Sequence, residues 1–559
     1  MHQFVAKAGA VGLVVLMLVA CGGGGGDDGG GGAPGPTPSP NPSPPAPGEA
    51  VVSGKVTYDR VPHNPITNGL DYASTFVAPV RGAVVEAVGS SGNTLATGET
   101  DAQGNYALTV PAETNLFIRV KAQALRAGVP SWDFAVVDNT NGDALYVLDG
   151  SSFDSATGAS VRDLHADSGW SGASYTEPRS AAPFAILDTV YEAFMLVRGA
   201  DPAARFPPLE LNWSPDNRPV SPFDAEAGDI VTSSYRFSGG EREIFILGSA
   251  DNDTDEYDQH VVAHEWAHYF ENEFSRSDSI GGPHSVDDYL DPRVAFGEGF
   301  GNAFSGMALD EPIYRDSLGA RQSMGFPVNV ENNDLAEQHE GWYSEASVQA
   351  ILYDIYDAAN EELDAVTLGF GPIYDVLTNA QRNTPVLATI FTFIPPLKAA
   401  RPEAADNIDQ LVAAERIVSV GMDEFGTGET NNAGNAQDVL PVYMPIDIGG
   451  SEEICSLGDD PKQPPQSYGS INKLSNARFL KFDVDVSRSY VFTATGGAGT
   501  DPDMVLHQRG IIAVSDDPPP GPESFSRRLD PGTYVLEIYE FANITEDPRG
   551  RTCFTVSIT

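Results

Sequence analysis

One short segment of this 559-residue chain carries two histidines and a glutamate at a spacing suited to metal chemistry. The segment covers residues 258–270, DQHVVAHEWAHYF, in which Glu265 directly follows His264 and precedes His268. On an α-helix, residues at positions i and i+4 share one face and lie about 6 Å apart, so both imidazoles can reach a single Zn2+. Glu265 lies at the flank of that face, where its carboxylate can serve as general base towards a zinc-bound water. The spacing therefore predicts a zinc site with its own base.

A third histidine, His260, lies one turn before His264. From His260 to His268 the helix rotates the side chain by about 80° and advances about 12 Å, so one ion cannot bind all three imidazoles. We therefore expect His260 to occupy a supporting or core position, and the third ligand to come from elsewhere.

The candidate for that ligand is Glu298, in the segment DPRVAFGEGFGNAFSG. Asp291 is a favourable N-cap and Pro292 a favourable first residue, so a second helix is expected from there to about residue 308. Three glycines, each costly in a helix, indicate that this helix presses closely on a neighbour; they are Gly297, Gly299 and Gly301. Glu298 would then face the two histidines, and Asn302, one turn on, could orient a ligand histidine from outside the metal site.

Taken together, HVVAHEWAHYF and AFGEGFGNAFSG resemble the glutamate zincins, in particular the thermolysin and fungalysin families, whose pattern is H-E-x-x-H followed by a helix bearing E-x-x-x-D. The resemblance implies His264, His268 and Glu298 as zinc ligands and Glu265 as catalytic base. Asn302 departs from the pattern because an amide stands where those families have an aspartate.

The segment between the two helices, residues 275–289, is longer than in those families and contains three rival ligands: His284, Asp287 and Asp288. An aspartate zincin with Asp287 or Asp288 as third ligand therefore stays open. Those families also use a downstream histidine or tyrosine to stabilise the oxyanion, and His339 or Tyr343 could fill that role.

Helical periodicity recurs at residues 182–198 and 345–359 and in segments up to about residue 422, whereas short alternating strands precede and follow this region. The expected fold class is a multidomain α+β protein, with a mostly α zincin-like catalytic domain at 125–445 flanked by two all-β sandwich domains at 49–124 and 446–559. The first sandwich resembles the carboxypeptidase regulatory-like domain, and the second resembles the pre-peptidase C-terminal domain. Residues 243–248, EIFILG, could be an edge strand that binds substrate or an ordinary core strand.

The N-terminus predicts export. Residues 1–21 carry Lys7, a short apolar run and the sequence Leu18-Val19-Ala20-Cys21, which resembles the lipobox of bacterial lipoproteins. The resemblance implies that Cys21 is lipidated and that the protein is anchored in the outer membrane; an ordinary secretory signal is the alternative. The Gly- and Pro-rich residues 22–48 then form an extended linker.

The charge of the chain limits its possible partners, and its cysteines and aspartates suggest a disulfide and a cation site. The formal net charge of −47 argues against nucleic acid, because phosphate binding needs a basic face. In an exported protein, Cys455 and Cys553 are expected to form a disulfide. Alternating carboxylates at Asp251, Asp253 and Asp255 offer a Ca2+ site, weighed against a helix-capping role.

The sequence thus predicts a cell-surface zinc metalloendopeptidase that hydrolyses polypeptides by Glu265-assisted attack of zinc-bound water. The alternative is a catalytically inactive adhesin with a peptidase fold. The presence of a complete set of base and ligands in the sequence favours the active enzyme over this alternative. A further alternative is a metal enzyme that hydrolyses another amide or an ester instead of a peptide bond.

Overall fold

The computed structural model describes residues 46–333, 335, 339–358, 365–434, 439–458, 471–515, 522–544 and 548–559. The predicted signal peptide, its lipobox cysteine Cys21 and nearly all of the predicted linker lie outside these residues. Across the described ranges, no helix is both long enough and apolar enough to cross a membrane.

Strands make up 35% and helices 24% of the described residues, so this part of the fold is mostly β. The α-helices are α1 (Ala182–Ala200), α2 (Gln259–Phe274), α3 (Pro292–Leu309), α4 (Glu345–Tyr356), α5 (Phe370–Asp375), α6 (Ile390–Ala400) and α7 (Ala405–Ala414). The strands up to residue 170 are β1 (Glu49–Arg60), β2 (Phe76–Pro79), β3 (Ala83–Gly89), β4 (Thr94–Glu99), β5 (Asn105–Pro111), β6 (Asn115–Arg126), β7 (Trp132–Asp138), β8 (Ala144–Leu145), β9 (Val147–Asp149), β10 (Phe153–Asp154), β11 (Ala159–Val161) and β12 (Leu164–Ala166).

The strands of the middle region are β13 (Leu209–Trp213), β14 (Ser234–Ser238), β15 (Glu241–Ile246), β16 (Gly248–Ser249), β17 (Asp253–Thr254), β18 (Ile313–Leu318) and β19 (Met324–Asn329). The C-terminal strands are β20 (Tyr443–Pro445), β21 (Ser451–Ser456), β22 (Arg478–Val484), β23 (Arg488–Thr495), β24 (Pro502–His507), β25 (Ile511–Ser515), β26 (Glu523–Leu529), β27 (Gly532–Glu540) and β28 (Thr552–Ile558).

The expected fold class, with a distinct mostly α catalytic domain between two sandwiches, is wrong. The ten-stranded sheet explains why, because its order β14-β15-β13-β7-β6-β3-β4 joins strands from both sides of residue 124. Strand β6 itself runs from Asn115 to Arg126, across the expected boundary. Helical periodicity marked the long helices correctly, but it carried no information on which distant short strands pair with each other. The domain bounds themselves stay predictions.

The chain divides into two compact units: the first contains residues 1–262 and 315–326, and the second contains residues 263–314 and 327–559. In the first unit, α1 packs its buried face on the large sheet. Phe194 of α1 lies 5.0 Å from Trp132 and 5.5 Å from Phe134, measured between ring centroids. Strand β15 pairs with β13 on one side and β14 on the other. The edge-strand alternative for residues 243–248 is therefore wrong, and the core-strand alternative is confirmed.

The second unit ends in two sheets, with orders β20-β22-β27-β24-β25 and β21-β28-β23-β26. Their inner faces share one hydrophobic core that includes Leu480, Phe492 and Leu536. Cys455 lies opposite Cys553 in the β21–β28 pair, and the two form a disulfide, as the sequence predicted.

A buried ion-pair network joins α3 to β27 within this unit. Arg293 is 2% exposed and donates to Glu537 at 2.8 and 2.9 Å, while Asp291 accepts from its Nε at 2.9 Å. His507 also contacts Glu537, with its Nε2 2.8 Å from Oε2. Burial alone would raise the pKa of Glu537, but Arg293 and the bond from His507 outweigh it and lower that pKa to about 2.

We expect Glu537→Gln to lower the free energy of unfolding by on the order of 3 kcal/mol, because it leaves the buried guanidinium of Arg293 short of one counter-charge. The pKa of Glu537 is depressed, so its contribution is complete above its ordinary value of 4.5 and is lost as the pH falls towards about 2. The wild type should therefore lose more stability than the variant between these pH values. Urea unfolding monitored by circular dichroism checks both effects.

The matched control is Asp149→Asn, which removes a surface pair with Arg119 whose side chains are 33% and 40% exposed. Its effect should stay below about 1 kcal/mol, because solvent screens such pairs. Equal losses in the two variants would contradict the role assigned to the network.

Candidate metal centre

Two helices bring the predicted ligands together in the second unit. Helix α2 carries His264 and His268, and α3 carries Glu298. Helix α3 begins as the sequence predicted: the Asp291 side chain caps it by accepting from the Arg293 amide at 2.9 Å, and Pro292 is its first residue.

The glycines of α3 allow this approach, but they face different neighbours. A Cβ on Gly301 would stand 2.7 Å from Cε1 of His264, so only a glycine lets that imidazole lie flat against the helix. A Cβ on Gly299 would instead lie 2.6 Å from Cβ of Val348 in α4. Gly299 and Gly301 thus permit the close packing of α3 on its neighbours, although glycines destabilise a helix.

The three side chains converge at distances suited to one ion. His264 Nε2 lies 3.0 Å from His268 Nε2 and 3.2 Å from Glu298 Oε2, and the last two atoms are 3.4 Å apart. Ligands of a tetrahedral zinc at about 2.1 Å would be about 3.4 Å from each other. Among the described residues of this unit, these are the side chains grouped tightly enough to hold a metal ion. These distances between the candidate ligand atoms suit zinc, whose binding here stays a prediction.

The charges of the cluster favour a cation. Burial would raise the pKa of Glu298, but His268, His284 and the hydrogen bonds from the ligand imidazoles hold it well below its usual range. For His268, burial lowers the pKa, but the carboxylates of Glu298, Glu271 and Glu265 together raise it by more, so the balance lies well above the usual value. An ionised carboxylate therefore lies between two imidazoles, and a metal ion can take the place of a proton there.

Asn302 holds the orientation of His264. Its Oδ1 accepts from Nδ1 of His264 at 2.9 Å, and its Nδ2 donates to Oε1 of Gln349 at 3.0 Å. This bond fixes the ring so that Nε2 faces Glu298, and a proton held on Nδ1 would leave the lone pair of Nε2 for a metal ion. The amide thus makes the contact that its proposed orienting role requires, without adding a charge.

His268 has a corresponding partner that sequence reasoning missed. Glu271 is 1% exposed and its Oε2 lies 4.0 Å from Nδ1 of His268. The signal was available, because Glu271 follows His268 by three residues and therefore shares its helix face. The two ligand imidazoles are accordingly backed by different groups, an amide for His264 and a carboxylate for His268.

Glu265 lies at the edge of the cluster. It is half-buried, unlike the fully buried residues on either side of it. Its charge is among those that raise the pKa of His268, so its carboxylate is close to the ligands without belonging to their group. This is the position that a base acting beside the metal requires.

The rival ligands separate in the structure. His284 Nε2 lies 3.4 Å from Glu298 Oε2 and 3.3 Å from Oε2 of Glu345, so it borders the site and is partly exposed. Asp288 is bound to Nζ of Lys473 at 2.6 Å, and Asp287 accepts from Ser285 at 3.1 Å. Neither aspartate joins the ligand group.

Three other sequence candidates have contacts of their own. His260 is 5% exposed, and burial lowers its pKa to about 3, which suits the core role expected for it. Tyr343 is 1% exposed and its hydroxyl donates to the Glu340 carbonyl at 3.0 Å. His339 stacks on Tyr289 at 5.0 Å between ring centroids. The role of His339 or Tyr343 at an oxyanion stays a prediction.

Comparison with known families connects this region to peptidases. A model of the mycolysin C-terminal domain, a peptidase-associated family, matches residues 207–396, which include α2, α3 and α4. The match covers 190 of 559 residues (207 to 396 inclusive). The protein is thus peptidase-related. A comparison with curated proteins found no match.

Likenesses to solved structures are weak. The precursor of protealysin, a metalloproteinase from Serratia proteamaculans, is 11% identical, with 53% of this chain and 89% of that chain covered at a TM-score of 0.30. The pre-peptidase C-terminal domain of a collagenase from Bacillus anthracis is 14% identical, with 21% and 94% covered at a TM-score of 0.16. Neither score is high enough to support an argument.

We expect Gly301→Ala to weaken zinc binding by about 10- to 100-fold, because the new methyl group displaces the His264 imidazole from its position against α3. Zinc affinity measured by competition with a chromophoric chelator tests this. Gly371→Ala is the matched control: it is also a helical glycine of this unit, but a Cβ there meets nothing within 4 Å. Unchanged affinity in Gly301→Ala would show that the imidazole is not constrained by this contact.

Proposed function

We propose that the protein is a zinc-dependent metalloendopeptidase whose centre is formed by His264, His268 and Glu298, with Glu265 as catalytic base. The observation that carries the proposal is the spacing of the three ligand atoms, 3.0, 3.2 and 3.4 Å, on two adjoining helices. The peptidase-related family match over the same residues supports it.

The donor set suits a catalytic zinc. Two imidazoles and one carboxylate would supply three ligands to a zinc ion and leave it accessible to water or substrate, as in catalytic and not in closed structural sites. When bound, zinc acidifies water and polarises a carbonyl group as a Lewis acid. His264 and His268 present Nε2 as ligand atoms, since Asn302 and Glu271 face their Nδ1 atoms.

Glu265 moves the proton. Its half-buried position gives the carboxylate access to the solvent side of the cluster, where it accepts the proton of the attacking water. The same group then delivers that proton to the leaving amine nitrogen as the peptide bond breaks. His284, partly exposed beside Glu298 and Glu345, borders the site and is a better placed polar neighbour for substrate than His339 or Tyr343.

The proposed place of action is the cell surface, with the polypeptide substrate outside the cell. This part rests on the lipobox-like sequence ending at Cys21 and on the Cys455–Cys553 disulfide, which suits an exported protein. Metabolic labelling with a radioactive fatty acid in the wild type and in Cys21→Ser would separate a lipid-anchored form from a freely secreted one.

We expect Glu265→Gln to lower kcat/KM on casein by about 10²- to 10⁴-fold while leaving one zinc bound per chain, because the amide cannot accept the proton. Hydrolysis of labelled casein and metal analysis by mass spectrometry measure the two quantities. Glu273→Gln, on the same helix but outside the ligand group, is the control and should keep its activity.

An absence of hydrolysis in both wild type and variant, with zinc bound, would favour the inactive adhesin. Hydrolysis of esters or other amides without casein cleavage would keep the metal site and change the substrate class. Equal casein hydrolysis in wild type and Glu265→Gln would refute the role of the base.

A further inference from the structure

The first unit contains a second group of acidic side chains, distinct from the proposed zinc ligands. Carboxylate oxygens of Asp253, Asp255 and Asp316 lie within 4.8 Å of one another. Asp253 belongs to β17 and Asp316 to β18, and the antiparallel register sets Asp253 opposite Leu318. Asp255 follows directly after β17, so three like charges meet beside this strand pair, which is unfavourable unless they are neutralised.

The group contains a buried oxygen that has no partner. Asp255 is 3% exposed and its Oδ2 accepts from the Ser233 hydroxyl, which in turn accepts from the Leu247 amide at 3.0 Å. Its other oxygen, Oδ1, has no hydrogen-bonding partner among the residues that the structure describes, and the same holds for Oδ1 of Asp253. A buried carboxylate oxygen left in this way carries a large desolvation cost.

Other buried carboxylates of this unit are neutralised by basic groups, so the group is exceptional. Asp188 is bound by Arg81, and Glu256 by Arg179. The adjacent Asp258 accepts from the Ser317 amide at 2.8 Å and lies 2.8 Å from Nε2 of His63. For Asp255 the largest influences are burial and then the charges of Asp253, Asp316 and Asp258, all of which raise its pKa well above the usual range.

The same imbalance holds for the other two members. Burial, followed by the charge of Asp258, raises the pKa of Asp253 to about 7. Burial and the charges of Asp258 and Asp253 raise the pKa of Asp316 well above its usual range. The three groups therefore lack a positive charge that would let them ionise together.

We propose that Asp253, Asp255 and Asp316 bind a divalent cation, Ca2+, that joins the segment before α2 to strand β18. Calcium takes six to eight oxygen ligands at about 2.3–2.6 Å, so carboxylate oxygens up to about 4.8 Å apart can share one ion. Magnesium prefers to keep several waters, which suits a buried three-carboxylate group less well. The inference does not depend on the proposed zinc chemistry, because its residues belong to the other unit.

The aspartates that meet in the structure differ from the three that the sequence suggested for a Ca2+ site. Asp253 and Asp255 come together, but Asp251 accepts from the Arg321 amide at 2.7 Å and is not in the group. Its place is taken by Asp316, which is 61 residues beyond Asp255 and could not be chosen from local spacing (316 − 255). Asp251 is therefore a natural control.

The test uses the full chain, freed of calcium on a chelating resin and kept in zinc-containing buffer. Titration with CaCl2, measured by isothermal calorimetry, should show one binding event in the wild type. The Tm of the wild type should rise with calcium concentration. Asp316→Asn should weaken calcium binding by on the order of tenfold or more, since one charged ligand is lost. Asp251→Asn should bind as the wild type does.

The Tm measured without calcium is a second readout, and the substitution should change it in the opposite direction from the Tm with calcium. A variant that simply misfolds would have a lower Tm under both conditions. Without calcium, Asp316→Asn should have a higher Tm than the wild type, because one of the crowded negative charges is gone; with calcium, the order should reverse. Asp253→Asn should repeat this pattern if Asp316→Asn fails to fold.

The proposal is overturned if the wild type shows neither calcium heat nor a calcium-dependent Tm, or if Asp316→Asn keeps both. Metal analysis separates it from the zinc site: Asp316→Asn should retain zinc, and His264→Ala should retain calcium binding. Loss of zinc in His264→Ala with calcium binding unchanged would show that the two metal sites are independent of each other.

Discussion

Burial of negative charge is the constraint on which most of this structure depends. The chain has 79 acidic residues against 32 lysines and arginines, so buried carboxylates compete for few counter-charges. Several fully buried carboxylates are each accompanied by a specific cation: Arg293 for Glu537, Lys473 for Asp288 and Arg179 for Glu256. An unpaired buried charge would cost several kcal/mol, so these pairs fix which segments must meet.

Both candidate metal sites are special cases of the same constraint. At the first, Glu298 has imidazoles instead of a lysine or arginine, and their nitrogens are spaced so that one ion can bind all three side chains. At the second, three aspartates meet with an unpartnered buried oxygen. In a protein with so few basic residues, a bound metal ion would let these aspartates stay ionised, whereas without one their pKa values rise.

Close packing determines the geometry of the first site as much as charge does. Gly301 lets the His264 imidazole lie against α3, and Gly299 lets α3 approach Val348 of α4. Asn302 then fixes that imidazole through Nδ1, and Gln349 of α4 holds the amide in turn. The ligand orientation is therefore set by three helices, although only two of them carry ligands.

The sequence by itself determined the helices of the site, because their signals are local. Helical spacing placed His264 and His268 on one face, and Asp291 with Pro292 marked the start of α3. The choice of Glu298 and Asn302 also followed from position along that helix. The meeting of these side chains could therefore be anticipated from two short segments of the chain.

Only the tertiary structure decided what depends on residues far apart in the chain. The ten-stranded sheet includes both β3 and β15, so the expectation of a distinct mostly α domain was wrong even though the helices were predicted correctly. Asp316 reaches Asp255, and Glu537 reaches Arg293, across 61 and 244 residues (316 − 255 and 537 − 293). Strand pairing and buried charge pairing are non-local, and neither leaves a periodicity in the sequence from which the partner could be read.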